Sequence, residues 1–190
     1  MMEHIAKTRI KRLRESFASD PVASGVQEMF SSLGDMMSQP YSVLGTLTAA
    51  ARALGHVLQT CHWQARGDAF YGDHKFFEEL YEGVSSEVDM LAERAVGLGS
   101  PELVNPIFQL EMTTRFLSMF IGENASSFPR TYDLLKVAHN AESMFKGFVL
   151  IALESMEKNG ELTPGVENML GGIADTHEQH LYLLSQYLHR

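Results

Sequence analysis

A single cysteine, Cys61, leaves the chain without an intrachain disulfide framework. Long apolar runs are missing as well: nothing approaches the roughly 20 consecutive apolar residues of a membrane span. The amino terminus has no apolar signal core, because Lys7, Arg9, Lys11, Arg12 and Arg14 interrupt it. A cytoplasmic protein is therefore expected, with Cys61 as a small packed residue. Acidic side chains are absent between Tyr41 and Arg66. Lysine is scarce in the first 20 residues, and no basic extension follows His189-Arg190.

What is present fits one all-α domain. The 45% hydrophobic content is that of an ordinary globular protein, and 190 residues can bury a sizeable core. Residues 1–40 form an amino-terminal extension with a basic tail and a possible short helix from about Ser24 to Ser38, ending before Pro40. Residues 41–190 hold four long helical stretches. The first, Tyr41 to Arg66, has an apolar stripe of Leu44, Leu47, Ala51, Leu54 and Leu58. The second runs from about Asp73 to Leu98 and stops at Gly97 and Gly99. The third runs from about Thr131, after Pro129, to Asn159-Gly160, a strong stop signal because both residues tolerate a left-handed cap. The fourth opens at Thr163-Pro164, a cap residue with proline in the first helical position, and reaches about Leu188. Short turns make helices one and two antiparallel, and likewise three and four. Residues 99–130 are the only long link, and Ile107, Leu110, Met112, Phe116, Leu117 and Phe120 predict a short extra helix within it. Two hairpins joined by one long crossover form a ferritin-like four-helix bundle.

The informative chemistry lies between His62 and Glu93. On one helix, His74, Glu78, Asp89 and Glu93 fall at roughly 0°, 40°, 60° and 100° of the wheel, a single face. Glu78 and Asp89 are nevertheless roughly 16 Å apart along the axis, at about 1.5 Å of rise per residue. A metal holds nitrogen and oxygen ligands at about 2.0–2.2 Å, so one chain cannot close such a site. The spacing is palindromic: both the outer and the inner pair are centred between Gly83 and Val84. Two copies packed antiparallel about a twofold axis there would bring His74 and Glu78 of one against Asp89 and Glu93 of the other, forming two identical sites. Gly83 at the axis is expected to let the backbones approach. Acidic residues on one helical face are ordinarily just solvated. His62 shifts that reading, because the turn signal Ala65-Arg66-Gly67-Asp68 would place it at the height of His74 in a helical hairpin. Imidazole with carboxylate suits iron, manganese or zinc.

His62-Trp63, Gly67, Phe70, His74, Phe77, Leu80-Tyr81, Asp89 and Ala92-Glu93-Arg94 followed by Leu98-Gly99 closely resemble the Dps family of mini-ferritins. The stretch from Thr176 to Leu184 resembles that family's last helix, and the resemblance covers roughly residues 41 to 188. Glu78 departs from the pattern, standing where the family usually has aspartate. The resemblance implies a ferroxidase that oxidises ferrous iron, preferably with hydrogen peroxide, and stores ferric mineral in a hollow shell of twelve subunits built from twofold dimers. It implies His62, His74 and Glu78 of one chain facing Asp89 and Glu93 of its partner, with up to two ions per shared site. His62, Asp89 and Glu93 would form the tighter position. Trp63 would pack near the site, and Glu161 and Glu167 are candidates for lining a pore.

Other readings are weighed beside this one. The usual di-iron carboxylate bundle needs a Glu on each of two helices and Glu-x-x-His on the others. Helix one has no acid and helix two no Glu-x-x-His, which argues against an oxidase site inside one bundle. His56, His139, His177 and His180 read as structural or surface groups, and His139 with Glu142 as a local ion pair. Residues 1–20 carry a net +2, leaving −11 on the rest. Only the tail, through Lys7, Arg9, Lys11, Arg12 and Arg14, is then suited to DNA, and an ordinary solvated or packed arm is favoured over that role. The alternatives are a DNA-compacting protein with weak or absent ferroxidase activity, and a zinc or manganese shell without redox turnover.

Overall fold

The computed structural model of the chain describes residues 39–122 and 131–189, with Lys11, Glu15, Ser24 and Glu28 as isolated helical positions upstream. The elements are α1 (Ser42–Gln64), α2 (Phe70–Leu98), a 3-10 turn (Pro101–Val104), α3 (Pro106–Ile121), α4 (Thr131–Lys158) and α5 (Pro164–Leu188). Most of the amino-terminal extension, including Lys7, Arg9, Arg12, Arg14 and most of the expected helix before Pro40, lies outside the described residues.

The stripe Leu44, Leu47, Ala51, Leu54 and Leu58 on α1 is fully buried, and Ala49, Ala50 and Ala53 are buried beside it. Such a helix gains stability on nearly every side by leaving water. Its start is fixed from the far end of the sequence. Tyr41 takes a left-handed φ of 60°, and its N–H donates to Glu161 Oε2 at 3.2 Å. Glu161, expected as a pore residue, is thus engaged within the subunit.

Residues 65–69 join α1 to α2, with Gly67 at a φ of +94° that a side chain would resist. The helix begins at Phe70, three residues before the expected Asp73. Gly160, at φ +71°, ends the α4 turn, and Thr163 Oγ1 then accepts from the Val166 N–H at 3.3 Å to start α5. The long link holds both the 3-10 turn and α3, which packs mainly on α1. Gln109 clamps it there, donating its amide hydrogens to the carbonyls of Gly45 and Leu103, each at 2.9 Å. Phe116 of α3 meets Phe148 of α4 edge-on at 5.0 Å, carrying the crossover into the common core.

The crossover approaches α1 so closely that only glycine fits at residue 45. A Cβ there would lie 2.5 Å from the Leu103 carbonyl oxygen, a backbone atom that cannot swing aside. Gly45→Ala is expected to destabilise by about 1–3 kcal/mol, as other overpacked sites do. Gly83→Ala, whose Cβ would meet nothing within 4 Å, is expected to stabilise by about 0.5–1 kcal/mol through helix propensity. Thermal melts of the two variants, compared with the parent, check the opposite signs.

Candidate metal centres

The α1–α2 hairpin brings His62 and His74 into a stacked pair, with ring centroids 3.7 Å apart and planes 25° from parallel. Each ring reaches the other residue's backbone. His62 Nδ1 lies 2.9 Å from the His74 carbonyl oxygen, and His74 Nδ1 lies 3.0 Å from that of His62. A carbonyl oxygen only accepts, so both Nδ1 atoms carry the hydrogen and Nε2 is left in each ring to offer a lone pair. Fixing a ligand imidazole through its other nitrogen is how metal sites set tautomer and ring angle. The His62 carbonyl, left open near the end of α1, gains a donor in the same arrangement. Tyr81 packs edge-on to His62 at 5.3 Å, and Phe70 lies 5.0 Å from His74.

Glu78 follows His74 by one turn. Its carboxylate is ion-paired with Lys75, whose hydrogen bond holds the carboxyl below its ordinary pKa, with the nearby His62 and His74 acting in the same direction. Asp89 and Glu93 are exposed further along α2. The subunit thus gathers His62, His74 and Glu78 at one place and carries Asp89 and Glu93 roughly 16 Å or more along the same unbroken helix. Trp63, expected to pack, is 67% exposed in the subunit.

One expectation about the symmetry axis is corrected. Gly83 stands about 180° round α2 from His74, on the opposite side from the acidic face, and Val84 is fully buried in the core. Ser85, at about 20°, is the small residue on the ligand-bearing face. It lines a groove between α1 and α2 with Ala51, Gly55, Gln59 and Tyr81, so Gly55 and Ser85 are where close approach is available.

A second cluster lies inside the bundle. His177 of α5 is fully buried and bonded at both ring nitrogens: Nε2 to Glu87 Oε2 of α2 at 2.8 Å, and Nδ1 to Glu142 Oε2 of α4. His180, one turn on, places Nδ1 3.2 Å from Glu142 Oε1. Both partners of His177 are carboxylates, so both its nitrogens donate and the ring is an imidazolium. Burial alone would lower its pKa, but the charge and hydrogen bonds of Glu142 and Glu87 raise it to about 10. Burial would likewise raise that of Glu142, and His177 with His180 lowers it to about 2.

Of the two expected readings, structural or surface, His177 takes the structural one, fully buried in the core. The expected local ion pair is corrected: Glu142 pairs inward with His177 and His180 of α5, and His139 Nε2 instead meets Ser185 Oγ at 3.4 Å. The available signal was a carboxylate set within an apolar stripe: Val84-Glu87-Leu91 on α2 and Ala138-Glu142-Phe145 on α4. Such a residue must find a partner inside. Cys61 meets its expectation: its buried thiol lies 3.7 Å from the Leu134 carbonyl oxygen, and burial pushes its pKa up to about 12.

The family described as Ferritin-like domain matches residues 43–190. A DNA protection during starvation protein of Helicobacter pylori is 37% identical over 73 residues, 38% of this chain and about half (51%) of that protein. General stress protein 20U of Bacillus subtilis is 30% identical over 132 residues, covering 69% of this chain and 84% of that one. The X-ray structure of Dps from Thermosynechococcus elongatus superposes with a TM-score of 0.64 at 19% identity, over 88% of this chain and 94% of that one.

Proposed function

This chain belongs to the ferritin-like family, as a Dps-type mini-ferritin, and on that premise we propose that it oxidises ferrous iron between paired subunits and stores the ferric product in a closed shell. The observation that carries the reading is the reciprocal His62–His74 pair, which leaves two Nε2 atoms available beside Glu78. Asp89 and Glu93 of a second, antiparallel copy would complete each site. Imidazole nitrogens and carboxylates together suit ferrous iron, and the carboxylates stabilise the ferric charge. Iron is the substrate here: two ferrous ions give one electron each, and hydrogen peroxide takes both, so no hydroxyl radical escapes.

Apolar surface supports assembly. Trp63 and Tyr71 are 67% and 74% exposed beside the histidine end of the hairpin, while Ile107 and Leu110 on α3 are 64% and 65% exposed. With Leu117 and Ile121 these two continue a stripe along α3, the helix packed on the same α1 that forms the groove at Gly55. Burying it against a second copy gives the twofold contact a driving force. Twelve subunits and a cytoplasmic location are part of the same proposal. No helix among the described residues is long and apolar enough to cross a membrane.

The acidic surface would draw cations toward the shell and repel nucleic acid. Of the basic tail positions only Lys11 is described, exposed and 3.9 Å from Glu15, and DNA binding is the weaker reading. A gel-shift series from low to high salt tests it, and binding at low salt that fades as salt rises would revive it.

The direct test is the initial rate of ferrous oxidation by peroxide in purified, assembled protein. A His62→Ala/Glu93→Gln variant of the same assembly size is expected to be slower by at least about a hundredfold, because losing an outer-shell partner alone costs about 10–100-fold and this variant loses two ligands. Equal rates would overturn the assignment.

A further inference from the structure

We infer that each subunit holds a second metal position, inside its own bundle, where Glu142, His177 and His180 bind one divalent cation of the zinc class. The three donor atoms lie within 4.8 Å of one another, close enough for one ion to draw them in by small side-chain movements. Two imidazoles and one carboxylate are a familiar ligand set for zinc and for ferrous iron, with a further position left for water. Helix α5 supplies His-x-x-His, and α1, without a single acid, supplies nothing, so the set accommodates one ion rather than a di-iron pair.

The surroundings are those of a built site. Glu142 and His177 are fully buried, and His180 keeps a 15% exposed side chain that opens a route from solvent. Glu87, on a third helix, accepts from His177 Nε2–H at 2.8 Å and so directs Nδ1 toward Glu142. That is the part an outer carboxylate plays for a metal-bound histidine. Phe145 packs edge-on against the His177 ring at 4.6 Å and holds its angle. Charge favours the ion too: a divalent cation with neutral imidazoles balances Glu87 and Glu142 in a dry interior, where unmatched charge is costly. Bound there, it ties α5 to α4 directly and to α2 through Glu87. The role is structural, and it needs no second subunit.

The test removes the shared site first. Full-length His62→Ala/Glu93→Gln protein is stripped with chelator, loaded with zinc chloride and passed through a desalting column. About one zinc per chain is expected to remain, with a higher melting temperature than the stripped form. Adding His180→Gln, at the partly exposed ligand, is expected to abolish both retention and the shift, and Glu142→Gln to do the same. Should Glu142→Gln not fold, the His180→Gln comparison decides alone. Diffraction at the zinc absorption edge is expected to show a peak between Glu142, His177 and His180. Zinc absent from the parent background, or retained unchanged after His180→Gln, overturns the inference. Neither result bears on iron oxidation between subunits, which the rate assay reads separately.

Discussion

Co-expressing His62→Ala chains with Glu93→Gln chains is expected to restore about a quarter of parental iron oxidation, although each variant alone is nearly inactive. The reason is the placement of the donors on α2. His62, His74 and Glu78 gather at one end of the hairpin, while Asp89 and Glu93 lie on α2 roughly 16 Å or more away along its axis. In the proposed twofold dimer each site would take its imidazoles from one chain and its acids from the other. A mixed dimer then puts both defects in one site and leaves its second site intact. Random pairing makes about half of all dimers mixed, each with one working site of two, hence about a quarter. Initial peroxide-driven rates on shells of parental size, with the mixing ratio verified by mass spectrometry, measure it. A site confined to one chain would yield no recovery at all.

Glu142→Leu is expected to lower stability by about 3–5 kcal/mol, because it leaves His177 charged and buried with half its carboxylate partners. For a domain of this size that is a fall of roughly 6–20 °C in melting temperature. The loss should depend on pH in the metal-free protein. Glu142 is held well below its ordinary 4.5, so its stabilisation is complete above about pH 4.5 and disappears as pH falls toward about 2. His177 is held above its ordinary 6.5, so its stabilisation is complete below about pH 6.5 and is lost as pH rises toward about 10. The gap between parent and variant should therefore be widest near pH 4.5–6.5 and narrow on both sides. Denaturation curves at fixed protein concentration across that range test this, and a gap independent of pH would show that the network is not ionised as described.

Local signals carried much of the structure. Thr163-Pro164 and Asn159-Gly160 bracket the α4–α5 turn because cap and turn chemistry acts within a few residues. The stripe on α1 and the height match of His62 and His74 follow from helical period and turn length alone. Where the sequence reading erred, the missing information was rotational. The palindrome locates a midpoint along α2 but carries no rotation: Gly83 lies about 180° round the helix from His74, whereas Ser85 shares the His74 side and lines a groove with Gly55. Glu87, Glu142 and His177 come from three helices separated by 55 and 35 residues of chain, and nothing in any one helix announces that they meet.

Periodicity and turn chemistry, legible along the chain, account for the four long helices, the extra crossover helix and the antiparallel pairing, and they put His74 and Glu78 toward one end of α2 and Asp89 and Glu93 toward the other. Only packing settles that His62 and His74 each spend Nδ1 on a carbonyl, that both nitrogens of His177 are engaged, and that Glu87 and Glu142 are drawn into the core. Those depend on the rotation of whole helices against one another, set by the packing of α1, α3 and the aromatic core rather than by neighbours in the chain.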